Sequence, residues 1–347
     1  MFSFITKVHA PEPYDLSYPA YFGNRLNMPV DNPLTKQGVY LGRMLFYEKR
    51  LSSNNSVSCA SCHKQQFAFA DTVAFGRGFD GTPTRRNAMS LQNLLWVRNF
   101  FWDGRAGSLE SQAVTPLTDA HEMGQSLTES AQKLQHTNIY PALFSEAFGL
   151  DSITPDGIVK ALAQFERTLI SANSAYDKYL QGRYQPTASE LNGMTLFFNE
   201  PDPLHNNRGA SCGHCHGGPK IFNELYENNG LDSVLTDTGR ASITGMPNDR
   251  GRFRVVTLRN IAITAPYMHD GRFNKLEEVL EHYNSGIHPS ASLSPFILHN
   301  SNQLHGKSLL LTASEKQDII AFLNMLTDST FVSNKAFSDP FIVMNKK

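Results

Sequence analysis

The sequence predicts an all-α protein made of two similar domains in tandem. Three observations point to this fold class: amphipathic stretches that begin with helix-capping residues, a cysteine motif that occurs twice, and a length of 347 residues, about two average domains. Hydrophobic residues make up 40% of the chain, as in ordinary folded proteins, and the formal net charge is -1 without a basic block. This composition argues against a nucleic-acid-binding surface, and no apolar run is long enough to predict a membrane span.

The predicted helices have recognisable starts. The stretch 155–169 follows Thr154, a good N-cap, and carries apolar residues at helical spacing. Two more helices begin with a capping box, a threonine followed three positions later by glutamate, at Thr187 and at Thr312. These starts place one helix before the second cysteine motif and one near the end of each half.

All four cysteines belong to two CxxCH motifs. The motifs are Cys59, Cys62 and His63, and Cys212, Cys215 and His216. CxxCH is the attachment signature of c-type haem: each thiol bonds a vinyl group, and the histidine that follows is the proximal iron ligand. A zinc site would require the two distant pairs to converge and leaves the histidines unexplained, thioredoxin-like motifs need a βαβ context, and two short disulfides are a third alternative.

We therefore predict two covalently bound haem c groups. Because c-type haem is attached outside the cytoplasmic membrane, the expected location is the bacterial periplasm, with a signal peptide absent from this sequence.

The two halves also match outside the haem motifs. Residues 90–93 correspond to 257–260, and residues 102–105 correspond to 269–272. Each half reads as helix, CxxCH, loop and helix, which predicts two cytochrome c-like domains joined near 174–185. The predicted bounds are 1–32 for an N-terminal extension, 33–175 for the first domain, 176–330 for the second and 331–347 for a C-terminal tail.

The repeat allows the two haem sites to be compared within one chain. Tyr283, whose phenolate can bind iron, lies fourteen residues beyond His269, whereas Pro116 occupies the same position beyond Trp102. We therefore predict a second haem ligated by His216 and Tyr283 and a first haem with an open face. Met268 is the strongest rival to Tyr283, because a thioether is the usual partner in cytochromes c. The other rivals are His282, His288, His299 and His305.

These features resemble the bacterial di-haem cytochrome c peroxidase family, which includes the MauG type that oxidises tryptophan in a partner protein. The resemblance is carried by both CxxCH motifs and by the segments 101–106, 121–123 and 257–271, together with Gln112. It implies that Trp102 relays electrons between the haems and that Glu122, with Gln112 nearby, assists peroxide cleavage. It also implies a calcium site formed by Asn87 and the carbonyl groups of Thr264 and Pro266.

One departure from the family favours the MauG-like branch. Many of these peroxidases cap the resting first haem with a histidine in a Gly-His-Gly segment, and here Arg77 stands between Gly76 and Gly78. A guanidinium does not ligate iron, so this haem is expected to be open. The expected function is oxidation of a periplasmic partner protein with hydrogen peroxide. The alternatives are reduction of peroxide to water with electrons from a small redox protein, and electron transfer without peroxide chemistry.

Overall fold

The computed structural model describes residues 10–344 and is dominated by helices, as predicted. The helices of the described residues are α1 (Lys36–Phe46), α2 (Cys59–Cys62), α3 (Leu109–Thr118), α4 (Leu127–Gln135), α5 (Tyr140–Phe148), α6 (Pro155–Arg167), α7 (Ala175–Leu180), α8 (Ala188–Phe198), α9 (Ala241–Thr244), α10 (Leu276–Ser285), α11 (Pro295–Leu298), α12 (Ala313–Asn324), α13 (Ser329–Val332) and α14 (Pro340–Met344). Within this part of the chain, no helix has the length and apolar character needed to cross a membrane.

The structure differs from the all-α prediction at one place. A short antiparallel ribbon joins β1 (Tyr226–Glu227) to β2 (Phe253–Arg254). Two strands of two residues each give no period-two pattern, so the sequence held no signal for them. The residues around 174–185 also differ from a plain linker, because Ser174 caps the short helix α7.

The predicted helix starts are confirmed. The Thr154 hydroxyl accepts a hydrogen bond from the Gly157 amide at 3.0 Å, which caps α6. Capping boxes at Thr187 and Thr312 begin α8 and α12, respectively. Each satisfies backbone N–H groups that a helix start leaves without partners.

The same helix crossing occurs in each half, and a glycine makes each one possible. A Cβ atom added at Gly42 of α1 would lie 1.9 Å from the carbonyl oxygen of Ala161 in α6. The equivalent atom at Gly193 of α8 would lie 1.8 Å from the carbonyl oxygen of Asp318 in α12. The two helix pairs therefore pack backbone to backbone at these points.

The buried apolar side chains form two clusters. One contains residues from Phe22 to Leu169, together with Phe222 and, near the C-terminus, Phe331 and Phe337. The other runs from Tyr176 to Leu326. The predicted domain bounds stay a prediction, and the position of Phe331 and Phe337 shows that the predicted tail packs on the first cluster.

The internal repeat is visible in backbone geometry. Asn93 and Asn260 both adopt left-handed conformations, with φ of 58° and 57°, before a short 3-10 helix. Downstream, Phe100 pairs with Ala106 in an antiparallel bridge, and Tyr267 pairs with Phe273 at the equivalent positions. The matched sequence segments therefore fold alike.

Candidate haem sites

The first CxxCH motif lines a large cavity. Its volume is about 1010 Å³, at the upper end of the range typical of ligand and cofactor sites. The predicted residues that line it are Cys59, Cys62, His63, Trp102, Gln112, Pro116 and Glu122. Helix α3 positions Gln112 and Pro116 four residues apart, which places them on one face of that helix.

The second CxxCH motif lines a separate cavity of about 360 Å³. The predicted residues that line it are Cys212, Cys215, His216, Tyr283, Asn87, Thr264 and Pro266. The residues between 284 and 311 wall much of this cavity, including Leu293, Phe296 and Leu309. This largely polar segment therefore has a structural role at the second site.

Both motif histidines are prepared for metal binding in the same way. The Nδ1 atom of His63 lies 2.8 Å from the Phe69 carbonyl oxygen, and that of His216 lies 3.0 Å from the Val256 carbonyl oxygen. Because a carbonyl only accepts, each Nδ1 donates and each Nε2 keeps its lone pair. Burial lowers the pKa of His63, and it lowers that of His216 to about 4, so both rings are neutral.

The cysteines also fit the thioether chemistry of c-type haem. All four are free thiols, and each motif faces its own cavity. Among residues 10–344, no group of three or more His, Cys, Asp or Glu side chains forms a metal cluster, which removes the zinc alternative. The donor sets therefore match one c-type haem per motif.

The candidate sixth ligands of the second site fall into two groups, those that line the cavity and those that do not. Met268 and Tyr283 both line the cavity, and the Asn229 side-chain amide donates to each of them at 3.4 Å. Burial raises the pKa of the Tyr283 phenol to about 12. The other rivals, His282, His288, His299 and His305, do not line the cavity.

Trp102 lies where the two cavities meet and lines both. Its indole N–H donates to the Asn87 carbonyl at 2.9 Å, while its own carbonyl accepts from the Arg254 amide at 2.7 Å. In the equivalent bond from the other half, the backbone amide of Asn87 donates to the His269 carbonyl, also at 2.7 Å. The two halves thus exchange a reciprocal pair of backbone hydrogen bonds around the tryptophan.

The Glu122 carboxyl is half-buried at the first cavity. Burial and the nearby Asp119 carboxylate raise its pKa, and Arg105 opposes them. The segment that carries Arg77 lies against this loop: a Cβ atom at Gly78 would be 1.8 Å from the His121 carbonyl oxygen. The exposed Arg77 side chain donates to the Gly81 carbonyl at 2.8 Å.

The proposed calcium ligands share one property. The side-chain amide nitrogen of Asn87 donates to the Val73 and Ala74 carbonyls, which leaves the side-chain oxygen of Asn87 free. Within the described residues, neither that oxygen nor the carbonyl oxygens of Thr264 and Pro266 accept a hydrogen bond. Three residues that line one cavity thus each carry an oxygen of the kind that a hard cation prefers, and the calcium site stays a prediction.

Sequence reasoning missed two charged residues at these cavities, one buried and one partly buried. Glu166 of α6 is 6% exposed, lines the first cavity, and has an oxygen without a hydrogen-bond partner in residues 10–344. Glu166 follows Leu162 by four residues and so lies on the apolar face of α6, and this position could have predicted that its carboxyl is buried. Arg254 lines both cavities, but it lies in the ribbon, for which the sequence gives no pattern.

Two CxxCH motifs that line adjoining cavities in a helical chain define a di-haem protein of the c type. The family described as di-haem cytochrome c peroxidase matches residues 36–185. The chain is 33% identical over 298 residues to the methylamine utilization protein MauG of Methylophilus methylotrophus, covering 86% of this chain and 84% of that protein. It is 35% identical over 246 residues to the cytochrome c551 peroxidase of Nitrosomonas europaea, covering 70% of this chain and 71% of that protein.

A solved structure gives the same result. The crystal structure of a MauG-like protein associated with microbial copper homeostasis superposes with a TM-score of 0.85 at 35% identity, covering 94% of this chain and 99% of that chain. The chain therefore belongs to the di-haem cytochrome c peroxidase family, and the resemblance inferred from its motifs is confirmed. Membership implies two haem c groups and a haem-dependent oxidoreductase that acts with hydrogen peroxide.

Proposed function

We propose that this protein activates hydrogen peroxide at the first haem site and uses the oxidising equivalents, through Trp102 and the second site, to oxidise a partner protein in the MauG manner. The observation that carries the proposal is the position of Trp102, which lines both cavities and is held at its indole and at its carbonyl. An aromatic side chain shared by two redox sites is suited to carry electrons between them.

The haems would be held by Cys59, Cys62 and His63 at the first site and by Cys212, Cys215 and His216 at the second. Haem iron with an open face supplies the two-electron reduction of peroxide, and six-coordinate haem iron supplies reversible one-electron transfer. The protein supplies neutral, oriented imidazoles at both sites, because each Nδ1 is hydrogen-bonded to a backbone carbonyl.

The open face of the first site is supported by what surrounds it. Pro116 occupies the position that Tyr283 holds in the repeat, and its side chain has no donor atom. Arg77 is exposed and bonded to Gly81. His121 lines this cavity too, but its ring is 61% exposed and its Nδ1 contacts the Asp80 carboxylate at 3.3 Å.

Glu122 is the proposed proton carrier of the first site. Cleavage of peroxide requires a proton to move from the near oxygen to the departing one. A half-buried carboxyl whose pKa is raised holds a proton at a higher pH than an ordinary glutamate does. Gln112 lines the same cavity from α3 and would orient the peroxide by hydrogen bonding.

At the second site we propose Tyr283 as the sixth ligand. A phenolate oxygen stabilises oxidised iron more than a thioether does, which suits a site that shares oxidising equivalents rather than one that stores electrons. Met268 reaches the same cavity and the same Asn229 amide, so a thioether ligand would favour the peroxidase alternative.

Asn87, Thr264 and Pro266 are proposed to hold one calcium ion. Since the Asn87 carbonyl accepts the Trp102 indole N–H, an ion bound by the Asn87 side chain would also fix the tryptophan. Removal of calcium with a chelator should therefore slow electron exchange between the haems.

The proposed partner is a periplasmic protein that presents an oxidisable tryptophan, and the alternative is a small redox protein that donates electrons. The relatives support both: one is a MauG and another is a cytochrome c551 peroxidase. The solved structure with a TM-score of 0.85 is also of a MauG-like protein, and this likeness is our reason for placing the MauG-type reaction first.

The first experiment is an optical and EPR spectrum of the ferric protein before and after one equivalent of peroxide, without reductant. We expect one high-spin and one low-spin haem and immediate oxidation of both. Two low-spin haems that are inert to peroxide would refute the open first site and favour an electron carrier.

Trp102→Phe tests the relay. This variant should still bind peroxide but should oxidise the second haem at least tenfold more slowly. Trp96→Phe is the matched control, because Trp96 is buried, donates to the Gly23 carbonyl and lines neither cavity. Equal rates in the wild-type protein and Trp102→Phe would exclude the relay.

A further inference from the structure

The side chain of Arg254 has a position that the proposed peroxide chemistry does not use. Arg254 ends the strand β2, and its amide donates to the Trp102 carbonyl at 2.7 Å. Seven residues line both cavities, and Arg254 is the one charged side chain among them; the others are Asn87, Ala88, Met89, Ser90, Leu94 and Trp102. The guanidinium therefore lies at the junction of the two haem sites.

This guanidinium has no ion-pair partner within the described residues, and Glu224, an acidic side chain that acts to raise its pKa, is already paired with Arg98. None of the ion pairs formed by residues 10–344 includes Arg254, and its buried Nε has no hydrogen-bond partner there. Among residues 10–344, its side chain makes one hydrogen bond, a weak one from Nη2 to the Met89 sulfur at 3.7 Å. Burial lowers the pKa of Arg254 to about 10, so the group still carries its charge at neutral pH.

An unpaired cation with a buried nitrogen is costly even on a partly buried side chain, and native proteins commonly supply such a group with an anion. The surrounding ribbon shows the same need for polar partners. Within the described residues, six buried side-chain polar atoms lack a hydrogen bond, and four of these belong to Tyr226, Glu227, Arg252 and Arg254, on or next to the ribbon. Glu227 is not the missing partner, because it pairs in register with Phe253 and so projects from the opposite face of the ribbon.

An anion from outside the polypeptide would satisfy this guanidinium if it reached the position shared by the two cavities. Each haem carries two propionate groups at one edge, and a guanidinium is the side chain best suited to a carboxylate, because its N–H groups form two parallel bonds. The neighbouring arginines do not compete for this role, because Arg252 lines neither cavity and Arg86 is already paired with Asp103 and Asp237.

We propose that Arg254 binds a haem propionate at the junction of the two cavities, and that this bond raises the reduction potential of that haem and holds its edge against Trp102. The proposal does not depend on which partner the enzyme oxidises. Because the thioether bonds keep each haem attached, the role of Arg254 is positioning and electrostatic tuning.

The test is a spectroelectrochemical titration of both haems in the holoprotein carrying Arg254→Gln. Loss of a positive charge beside a propionate stabilises ferric over ferrous iron. We expect the ferric-to-ferrous ratio of at least one haem to rise tenfold or more at fixed potential, a fall of 59 mV in its midpoint. The resonance Raman band of propionate bending should shift in the same haem.

Two further variants make the result specific. Arg254→Lys keeps the charge and should restore most of the potential but not the Raman band, because an ammonium does not form the paired bonds. Arg98→Gln makes the same change in net charge at a half-exposed residue that pairs with Glu224 and lines neither cavity, and it should leave both potentials in place. If Arg254→Gln does not mature with two haems, the Raman comparison of Arg254→Lys with the wild type decides.

Three outcomes would overturn the proposal. The first is unchanged potentials and an unchanged Raman spectrum in Arg254→Gln with both haems attached. The second is an equal shift in Arg98→Gln. The third is a wild-type potential that follows chloride concentration while the Raman band stays constant, which would identify a solvent anion as the partner. None of these depends on peroxide turnover, so the proposed function and this inference can fail separately.

Discussion

Glu166→Gln should change the pH dependence of stability in a way that can be worked out from the structure. Glu166 is 6% exposed at the first haem cavity, and burial raises the pKa of its carboxyl from 4.5 to about 8, partly offset by Arg167. The folded protein therefore holds a proton on Glu166 at neutral pH, whereas the unfolded chain has lost it. Glutamine has the same shape and does not titrate.

The sign follows from proton linkage. A group whose pKa is raised on folding contributes its full stabilisation below the unfolded pKa and loses it as the pH rises toward the folded pKa. A rise from 4.5 to about 8 corresponds to roughly 5 kcal/mol at 1.36 kcal/mol per pKa unit, of which about 4 kcal/mol is lost between pH 5 and pH 8. The wild type should thus lose stability relative to Glu166→Gln across this interval by a few kcal/mol.

The assay is denaturant unfolding of the ferric holoprotein, followed by far-UV circular dichroism at pH 5, 6, 7 and 8. The quantity of interest is the free energy of unfolding of Glu166→Gln minus that of the wild type, in which the other titrating groups cancel. The exposed Glu146→Gln serves as the control and should give a constant difference. A difference for Glu166→Gln that is also constant, or that falls with pH, would show that Glu166 is ionised in the native state and would refute the reasoning.

Two further predictions concern packing, and both are measured by the denaturant midpoint. Asp177→Ala removes the partner of Arg259 from an ion pair whose side chains are 1% and 0% exposed, and it should lower the free energy of unfolding by about 3–5 kcal/mol. Asp232→Ala breaks the partly exposed pair with Arg272 and should lower it by about 1 kcal/mol or less. Equal losses of stability in the two variants would contradict the burial argument. Alanine at Gly42 or Gly193 should cost about 1–3 kcal/mol, because each Cβ would overlap a backbone carbonyl of the facing helix; a gain, as on an exposed helix, would show that the helices can separate.

Much of the architecture could be predicted because it depends on patterns of residues that are close together in the sequence. The capping residues at Thr154, Thr187 and Thr312 act on amides within three residues, so the sequence alone locates those helix starts. The CxxCH motifs are equally local, since the spacing of two thiols and an imidazole is the chemistry itself. The repeat also placed Pro116 and Tyr283 on equivalent helices, because α3 and α10 begin at equivalent repeat positions, whereas their roles at the haems stay predictions.

The remaining features depend on contacts between distant parts of the chain. The short ribbon exists because Tyr226 pairs with Arg254, 28 residues away, and two-residue strands have no periodicity to detect. The wall that residues 284–311 build over the second cavity is likewise a tertiary feature of a polar segment. The charge on Arg254 gains significance only once both cavities are seen to reach it.

The junction shows how one duplicated scaffold can hold two different redox sites. Asn87 and Arg254 are equivalent in the repeat, as are Trp102 and His269, and the amides of the first pair donate to the carbonyls of the second at 2.7 Å in both directions. Because these backbone bonds match, the backbone contacts of the junction do not distinguish one half from the other. The difference must come from side chains: Trp102 lines both cavities, whereas His269 lines the second and stacks on Phe253 with ring centroids 3.8 Å apart.

Side chains also differ at two other pairs of equivalent repeat positions, while the backbone is the same. Arg254 brings an unpaired positive charge to the junction, whereas Asn87 brings a free amide oxygen suited to a cation. Tyr283 offers an iron ligand, whereas Pro116 offers none. In the function proposed above, these three side-chain differences on a common backbone would direct peroxide to one site and electron transfer to the other. Pro116→Tyr offers a direct check, because a tyrosine at this position should convert the first haem to low spin and abolish its reaction with peroxide.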